Sequence, residues 1–350
     1  MWNVRLKERA QELCRWIPLQ MWHTVCGVDL VVPVWHIVKD VPVPHASHLY
    51  QFRTTEEFEA DLEFFLRRYT PVTEADLLAH VNGAGELPKR SVLFTFDDGF
   101  RECYDVIAPL LYAKGLPGIF FLTTAALDNC HLCDPQKKSI LIGALSNVGD
   151  AGVLEEVART LSVAGVSGSG CTASRIRDVS CHQRSVLDEL GRMLGFDFAA
   201  YLRSARPYLT CEEVEWLLAR GFNVGGHSVD HPRYPELSVE EQVAQTRESI
   251  HWLSKRFGVN CRSFAFPYGD VGMSEQCVQR MRNELGVDLW FGMGGVSAER
   301  GGGRLTRMTT EGTDRSAAQA VALDLARCFV RSRSRSQRQR AAAGGWHRES

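Results

Sequence analysis

The sequence predicts an α/β protein built on a parallel sheet or (β/α) barrel, and three observations lead there. Apolar runs rich in β-formers alternate with amphipathic helical patterns over most of the chain. Capping boxes open several of the helical patterns and glycines close them. Residues able to do chemistry follow directly on the ends of apolar runs. In a parallel barrel the strand C-termini converge at one mouth, so the third pattern also predicts where a site would lie. With 350 residues, 45% of them hydrophobic, there is material for one large core and an insertion within a single domain.

Residues 1–28 read as an N-terminal helical segment. Trp2, Leu6, Leu13, Trp16, Ile17 and Trp22 give it an apolar face, while Arg5, Lys7, Glu8, Arg9, Glu12 and Arg15 argue against a signal peptide. The mixed face predicts packing against the barrel, with peripheral membrane contact as the weaker alternative. The barrel unit spans 29–330. Asp29–Val38 reads as its first strand, and Thr54 with Glu57 caps a helix that buries Phe58, Leu62, Phe65 and Leu66. A strand at Ser91–Gly99 leads into a helix over Arg101–Lys114, stopped by Gly115, and Gly118–Leu122 is the next strand. Between Asp128 and Arg206 the alternation fails. Helical patterns at Ser139–Leu145, Val153–Val163 and Arg184–Leu194, split by the Gly/Ser-rich Gly165–Gly170, predict a helical insertion at the barrel rim, either a cleft wall or a packing appendage. Thr210 with Glu213 caps a helix that Gly221 ends before a short strand at Phe222, and Ser238 with Glu241 caps another that runs to Phe257 and Gly258. After Phe329 the chain becomes R-S-R-S-R-S-Q-R-Q-R, so Arg331–Ser350 is expected to be a disordered basic tail.

Composition removes several function classes. The formal charge of -2 gives no whole-chain pull toward nucleic acid. No apolar run approaches the ~20 residues that span a bilayer. Eleven cysteines, an odd number without a framework, predict reduced thiols and a cytoplasmic protein. Cys130-His131-Leu132-Cys133 is half a zinc ribbon whose second pair is missing, because Cys171 and Cys181 are ten apart; free thiols are the expected state. Oligomeric state leaves no mark in the sequence.

The chemistry concentrates in three segments. Ser91–Gly99, S-V-L-F-T-F-D-D-G, ends a buried run on Asp97 and Asp98, and such a pair calls for a cation or a reaction. Phe222–His231 opens onto His227 and His231, which share a face if they occupy one helical turn. With one carboxylate of the aspartate pair they form a facial His-His-Asp set with open positions, as a catalytic divalent metal, zinc first, requires. Arg262–Asp270 closes on Pro267, Tyr268 and Gly269, a tight turn able to aim the Tyr268 backbone N–H into a site. His36, late in the first strand, reaches the same mouth.

T-F-D-D-G (Thr95–Gly99), H-S-V-D-H (His227–His231) and F-P-Y-G (Phe266–Gly269), in this order, resemble the first three motifs of the polysaccharide deacetylases, the nodulation-protein-like carbohydrate esterases of family four. The resemblance spans roughly 30–312. It implies a distorted, incomplete (β/α) barrel that removes acetyl groups, N-acetyl before O-acetyl, from a carbohydrate or glycolipid with the help of a divalent metal. It makes Asp97 the catalytic base and Asp98, His227 and His231 the metal ligands. Two departures stand out: Ala265 occupies the place of an arginine that orients the base, and the last motif, R-L-T-R-M-T-T-E-G at Arg304–Gly312, lacks the histidine acid. A subgroup with F-A-[FY]-P-[YF]-G and an R-[IL]-x-R ending matches more closely. Arg307 is the candidate to hold Asp97, and His36 the candidate acid. A catalytically weak or inactive carbohydrate-binding relative is the alternative reading.

Overall fold

The computed structural model describes residues 18–344, except 167, 169, 298–302 and 313. Its strands are β1 (Leu30–Val31), β2 (Pro33–Trp35), β3 (Thr70–Pro71), β4 (Ser91–Val92), β5 (Thr95–Phe96), β6 (Ile119–Leu122), β7 (Asn223–Gly226), β8 (Ser263–Ala265), β9 (Leu289–Met293) and β10 (Arg304–Thr309). Seven of them close a parallel barrel in the order β10-β2-β5-β6-β7-β8-β9, and β1-β4-β3 form a small parallel sheet below it. One strand short of the eightfold barrel, this is the incomplete (β/α) barrel that the motifs implied.

Two runs expected to be single strands are each divided. Asp29–Val38 contributes β1 and β2, and Ser91–Gly99 contributes β4 and β5. The cause is a change of neighbour: β4 pairs with β3 at its lower end, whereas beyond it Ile119 N–H reaches the Phe94 carbonyl at 3.0 Å and β5 pairs with β6. The strands β3, β9 and β10 are additions to the sequence reading. β3 is only two residues long, and β10, R-L-T-R-M-T, has a charged residue at a buried position because Arg307 pairs inside the barrel.

Along β6 the side chains alternate. Phe121 faces inward with Ala265, Leu289 and Phe291, while Phe120 and Leu122 join the layer between barrel and helices. Gly225 makes room for this interior: a Cβ there would lie 2.4 Å from the Phe121 ring. The outer layer stacks Trp35, Phe96 and Phe120, with ring centroids 5.7 and 4.9 Å apart. Burying one such ring contributes about 2–3 kcal/mol.

The helices around the barrel are α1 (Leu19–Cys26), α2 (Thr55–Arg68), α3 (Glu74–Val81), α4 (Ala108–Ala113), α5 (Asp134–Leu145), α6 (Ala151–Val163), α7 (Thr172–Arg177), α8 (Ser185–Met193), α9 (Phe198–Ala205), α10 (Cys211–Ala219), α11 (Val239–Phe257), α12 (Glu275–Leu285) and α13 (Ala317–Gly344). The capping boxes at Thr54, Thr210 and Ser238 are present, and Gly258 ends α11 in the left-handed conformation. The helix expected over Arg101–Lys114 begins instead with a π-helical turn at Cys103–Ile107. Pro109, which has no N–H to return to the preceding turn, follows it.

Helices α5–α9 form the insertion around their own apolar cluster of Leu141, Val157, Leu161, Ile176, Leu187 and Leu190. A second cluster, with Phe100, Leu132, Ile140 and Tyr208, fastens the insertion to the barrel mouth. Cys130 is exposed and Cys133 is buried at the start of α5. Trp22 of α1 packs edge-on against Phe329 of α13 at 5.9 Å; Trp2, Leu6, Leu13, Trp16 and Ile17 lie outside the described residues. The basic stretch expected to be disordered from Arg331 continues α13 as far as Gly344. Arginine, glutamine and alanine are good helix formers, and the first turns of α13 nucleate the helix by burying Val321, Leu325 and Ala326.

Candidate active site

Each group in the three chemical segments stands at the C-terminal end of a barrel strand. Asp97 follows β5, its N–H donating to the Trp35 carbonyl at 3.0 Å, and His227 follows β7, its N–H reaching the Leu122 carbonyl at 3.0 Å. Beyond these points the ladder ends and the backbone twists. Asp98, Ser228, His231 and Tyr268 all take left-handed φ angles of 71°, 68°, 61° and 59°. Non-glycine residues hold that conformation at a cost of roughly 1–3 kcal/mol each where surrounding contacts impose it, and such residues gather at functional sites.

The two histidines are therefore not on a helical turn. They converge through a loop, with ring centroids 5.0 Å apart. One contact within the loop and two from other segments shape it: His231 N–H donates to Ser228 Oγ at 3.0 Å, Val229 N–H to Gln245 Oε1 at 2.9 Å, and Ala125 N–H to the Val229 carbonyl at 2.8 Å. The insertion joins in through Arg184, which hydrogen-bonds Asp230 between the two histidines and lies 3.3 Å from Asp134.

Asp98, His227 and His231 each present one ligand atom within 4.8 Å of the others, and no other such set of three or more His, Cys, Asp or Glu occurs among the described residues. The donor set fits a divalent cation on its own chemistry. His227 Nδ1 lies 2.8 Å from the Ala265 carbonyl, which can only accept, so the neutral ring has its lone pair on Nε2. That Nε2 faces Asp98 Oδ1 at 3.3 Å, and His231 Nε2 faces the same oxygen at 3.1 Å. The buried Asp98 Oδ1 has no hydrogen-bond donor. The His227 lone pair facing a buried carboxylate is repulsive unless a cation lies between them.

Asp97 has a different environment. Arg307, fully buried, grips it in a fork with Nη1–Oδ1 at 2.6 Å and Nη2–Oδ2 at 2.7 Å. The guanidinium also lies over the Phe121 ring at 5.4 Å. Burial on its own would raise the Asp97 carboxyl; Arg307 and then His227 outweigh it and hold it below the usual range.

His36 stands at the end of β2, and its Nδ1 meets Glu311 Oε2 at 2.6 Å. Glu311 Oε1 accepts the backbone N–H groups of His36 and Ile37 at 2.8 and 3.3 Å. Burial lowers the His36 pKa, but the Glu311 charge and hydrogen bond reverse this and raise it to about 9. Sequence reasoning passed over Glu311, although the signal was present: it is a carboxylate directly beyond the last strand, in the same stretch that supplies Arg307. Tyr268 sits in a turn closed by Gly269 N–H to the Phe266 carbonyl at 2.9 Å. Its ring packs against His231 at 5.0 Å and lies under Arg233 at 4.3 Å.

Residues 84–290 match the family model for polysaccharide deacetylases. The chain is 24% identical over 265 residues to the poly-beta-1,6-N-acetyl-D-glucosamine N-deacetylase of Escherichia coli (strain K12), a match that takes in 73% of this chain and only 33% of that protein. The fold is shared with the Streptococcus pyogenes deacetylase PplD solved in complex with acetate, at 14% identity and a TM-score of 0.55, over 83% of this chain and 96% of that one. It is shared too with IcaB from Ammonifex degensii, at 18% identity and a TM-score of 0.54, over 85% and 98% of the two chains.

Proposed function

Because the chain belongs to the polysaccharide deacetylase family, whose model covers more than half its length, we propose that it is a metal-dependent hydrolase that removes N-acetyl groups from an N-acetylglucosamine-containing glycan. The observation that carries this reading is the division of labour between adjacent aspartates. Asp98 faces His227 and His231 with an oxygen that has no donor, while Asp97 is held apart by Arg307.

Asp98, His227 and His231 would hold a divalent ion, zinc by the nature of the donors, which would supply an acidified water with its pKa lowered toward about 7 and would polarise the acetyl carbonyl. Asp97 remains ionised at neutral pH and takes the proton that the water gives up as its oxygen attacks. The Arg307 fork fixes the carboxylate plane, the function for which Ala265 has no side chain. The Tyr268 N–H, in the turn that follows β8, is the donor assigned to the acetyl oxygen as it gains charge. As the C–N bond breaks, the departing amine takes a proton from His36, which Glu311 keeps charged. Acetate and a free amino sugar result. An amine leaves far less readily than an alkoxide unless it is protonated, so the His36–Glu311 pair supports N- over O-deacetylation. Arg307 and His36 thus fill the two places in which the motifs departed from the family pattern, which weighs against an inactive carbohydrate-binding relative.

The test is acetate release from β-1,6- and β-1,4-linked N-acetylglucosamine oligomers, with metal measured in the purified protein. Acetate and new amines should appear together and vanish on chelation. Metal-loaded protein that releases acetate from neither series would sink the proposal.

A further inference from the structure

The wall formed by β2 and β10 carries a polar group that has no part in the roles above. Tyr50 lies in a segment tied to the barrel rim at two points: Gly312 N–H donates to the Gln51 carbonyl at 2.6 Å, and Lys39 N–H to the Arg53 carbonyl at 2.9 Å. Held there, the Tyr50 ring packs on the His36 imidazole with centroids 4.7 Å apart and planes inclined by 35°. Its hydroxyl oxygen is buried and has no hydrogen-bond partner among the described residues. Burial first, then the charges of Asp98 and Glu311, keep the phenol well above its usual range, so the oxygen retains its proton.

The carboxylates of this wall are satisfied, whereas Trp35 Nε1, Thr306 Oγ1, Arg307 Nε and Thr310 Oγ1 are, like the Tyr50 hydroxyl, buried without a partner among the described residues. Both Asp97 oxygens are taken by Arg307, and Glu311 accepts three donors. An unpaired buried hydroxyl is destabilising, and that cost is removed when a ligand supplies the partner.

The order of strands says which part of a ligand lies nearby. Around the ring, β2 and β8 are separated by three steps one way and four the other, as far apart as seven strands allow. An acetamide whose oxygen turns toward Tyr268 beyond β8 therefore directs its nitrogen, and the sugar bearing it, toward His36 and Tyr50. We propose that the Tyr50 hydroxyl is a substrate-binding group that hydrogen-bonds a ring hydroxyl of the sugar being deacetylated. This rests on the deacetylase reading above.

Tyr50→Phe keeps the ring on His36 and removes only the oxygen. The variant and the wild type, both metal-loaded, are compared on an N-acetylglucosamine pentamer and on 4-nitrophenyl acetate, an acetyl donor without a sugar. The ratio of kcat/KM for the glycan to that for the ester should fall about tenfold in the variant, the range expected for one lost hydrogen bond. A ratio within twofold of wild type overturns the inference, whether both activities fall together or neither does. Wild-type protein that cleaves the ester but no N-acetylated sugar overturns the deacetylase reading itself, and the inference with it.

Discussion

The two halves of the barrel mouth are built from similar groups in opposite states. On the β2–β5–β10 side, Asp97 and Glu311 are buried carboxylates whose oxygens all have donors from Arg307, His36 and backbone N–H groups. On the β5–β7–β8 side, Asp98 is about as buried, 5% exposed against 3% for Asp97, yet one of its oxygens meets only the Nε2 atoms of two histidines. The carboxylates of the first half are paired by the polypeptide; the second offers a donor set that a divalent cation would complete. The two aspartates are consecutive in sequence, and the left-handed φ at Asp98 turns its carboxylate to the other side.

The largest expected effect comes from emptying the open half. The His227→Ala, His231→Ala double variant should carry less than a tenth of the wild-type metal by elemental analysis, and lose acetate release by a factor of about 10³ or more, the scale on which metal sites lower hydrolytic barriers. Metal retained at wild-type stoichiometry would move the site elsewhere. The closed half breaks differently. Asp97→Asn should keep its metal while kcat falls about 10²–10⁴-fold, the usual contribution of a positioned base. Arg307→Met leaves Asp97 buried and unpaired and should lower stability by about 3–5 kcal/mol in denaturant unfolding. Combining the two should recover most of that stability but none of the activity, because the uncompensated charge is gone. Additive losses of stability would show that the fork is not a unit.

The smallest effect concerns His36. Its pKa is raised in the folded protein, so the contribution of the His36–Glu311 pair to stability is full below about pH 6.5 and is lost as pH rises toward about 9. Glu311→Gln removes the main cause of that rise. The alkaline limb of kcat/KM should then shift to lower pH, measured on the N-acetylglucosamine oligomer. A bound divalent cation pulls the same pKa down in both proteins, so the shift between them is the test, and an unmoved limb would remove His36 as the acid.

Much of this arrangement is legible in the sequence because it is local. Strand-terminal Asp97 and Asp98, the capping boxes and the P-Y-G turn are short patterns whose chemistry does not depend on distant residues. The His227–His231 loop is not local: i, i+4 spacing suggests a helical turn, but Gln245 and Ala125 impose left-handed backbone that no neighbour in sequence encodes. Glu311 and Tyr50 escaped attention for the same reason, since each acquires meaning only from His36, which lies 275 positions before Glu311. The split of the Asp29–Val38 and Ser91–Gly99 runs is equally invisible, because it is set by which strand lies alongside. The tail misleads in the other direction, its composition suggesting disorder where the helical backbone of α13 continues to Gly344.

The fork between Arg307 and Asp97 joins residues 210 positions apart, and this has a consequence for the chain as it is synthesised. Asp97 leaves the ribosome early, and its partner emerges only after six of the seven barrel strands. At a translation rate of roughly 5–20 residues per second, the aspartate waits on the order of ten to forty seconds before the guanidinium that offsets its burial exists. Until then the barrel lacks both its closing strand β10 and the guanidinium that offsets the buried Asp97 charge. The strand that shuts the barrel therefore delivers, in the same step, the group that makes burial of Asp97 tolerable.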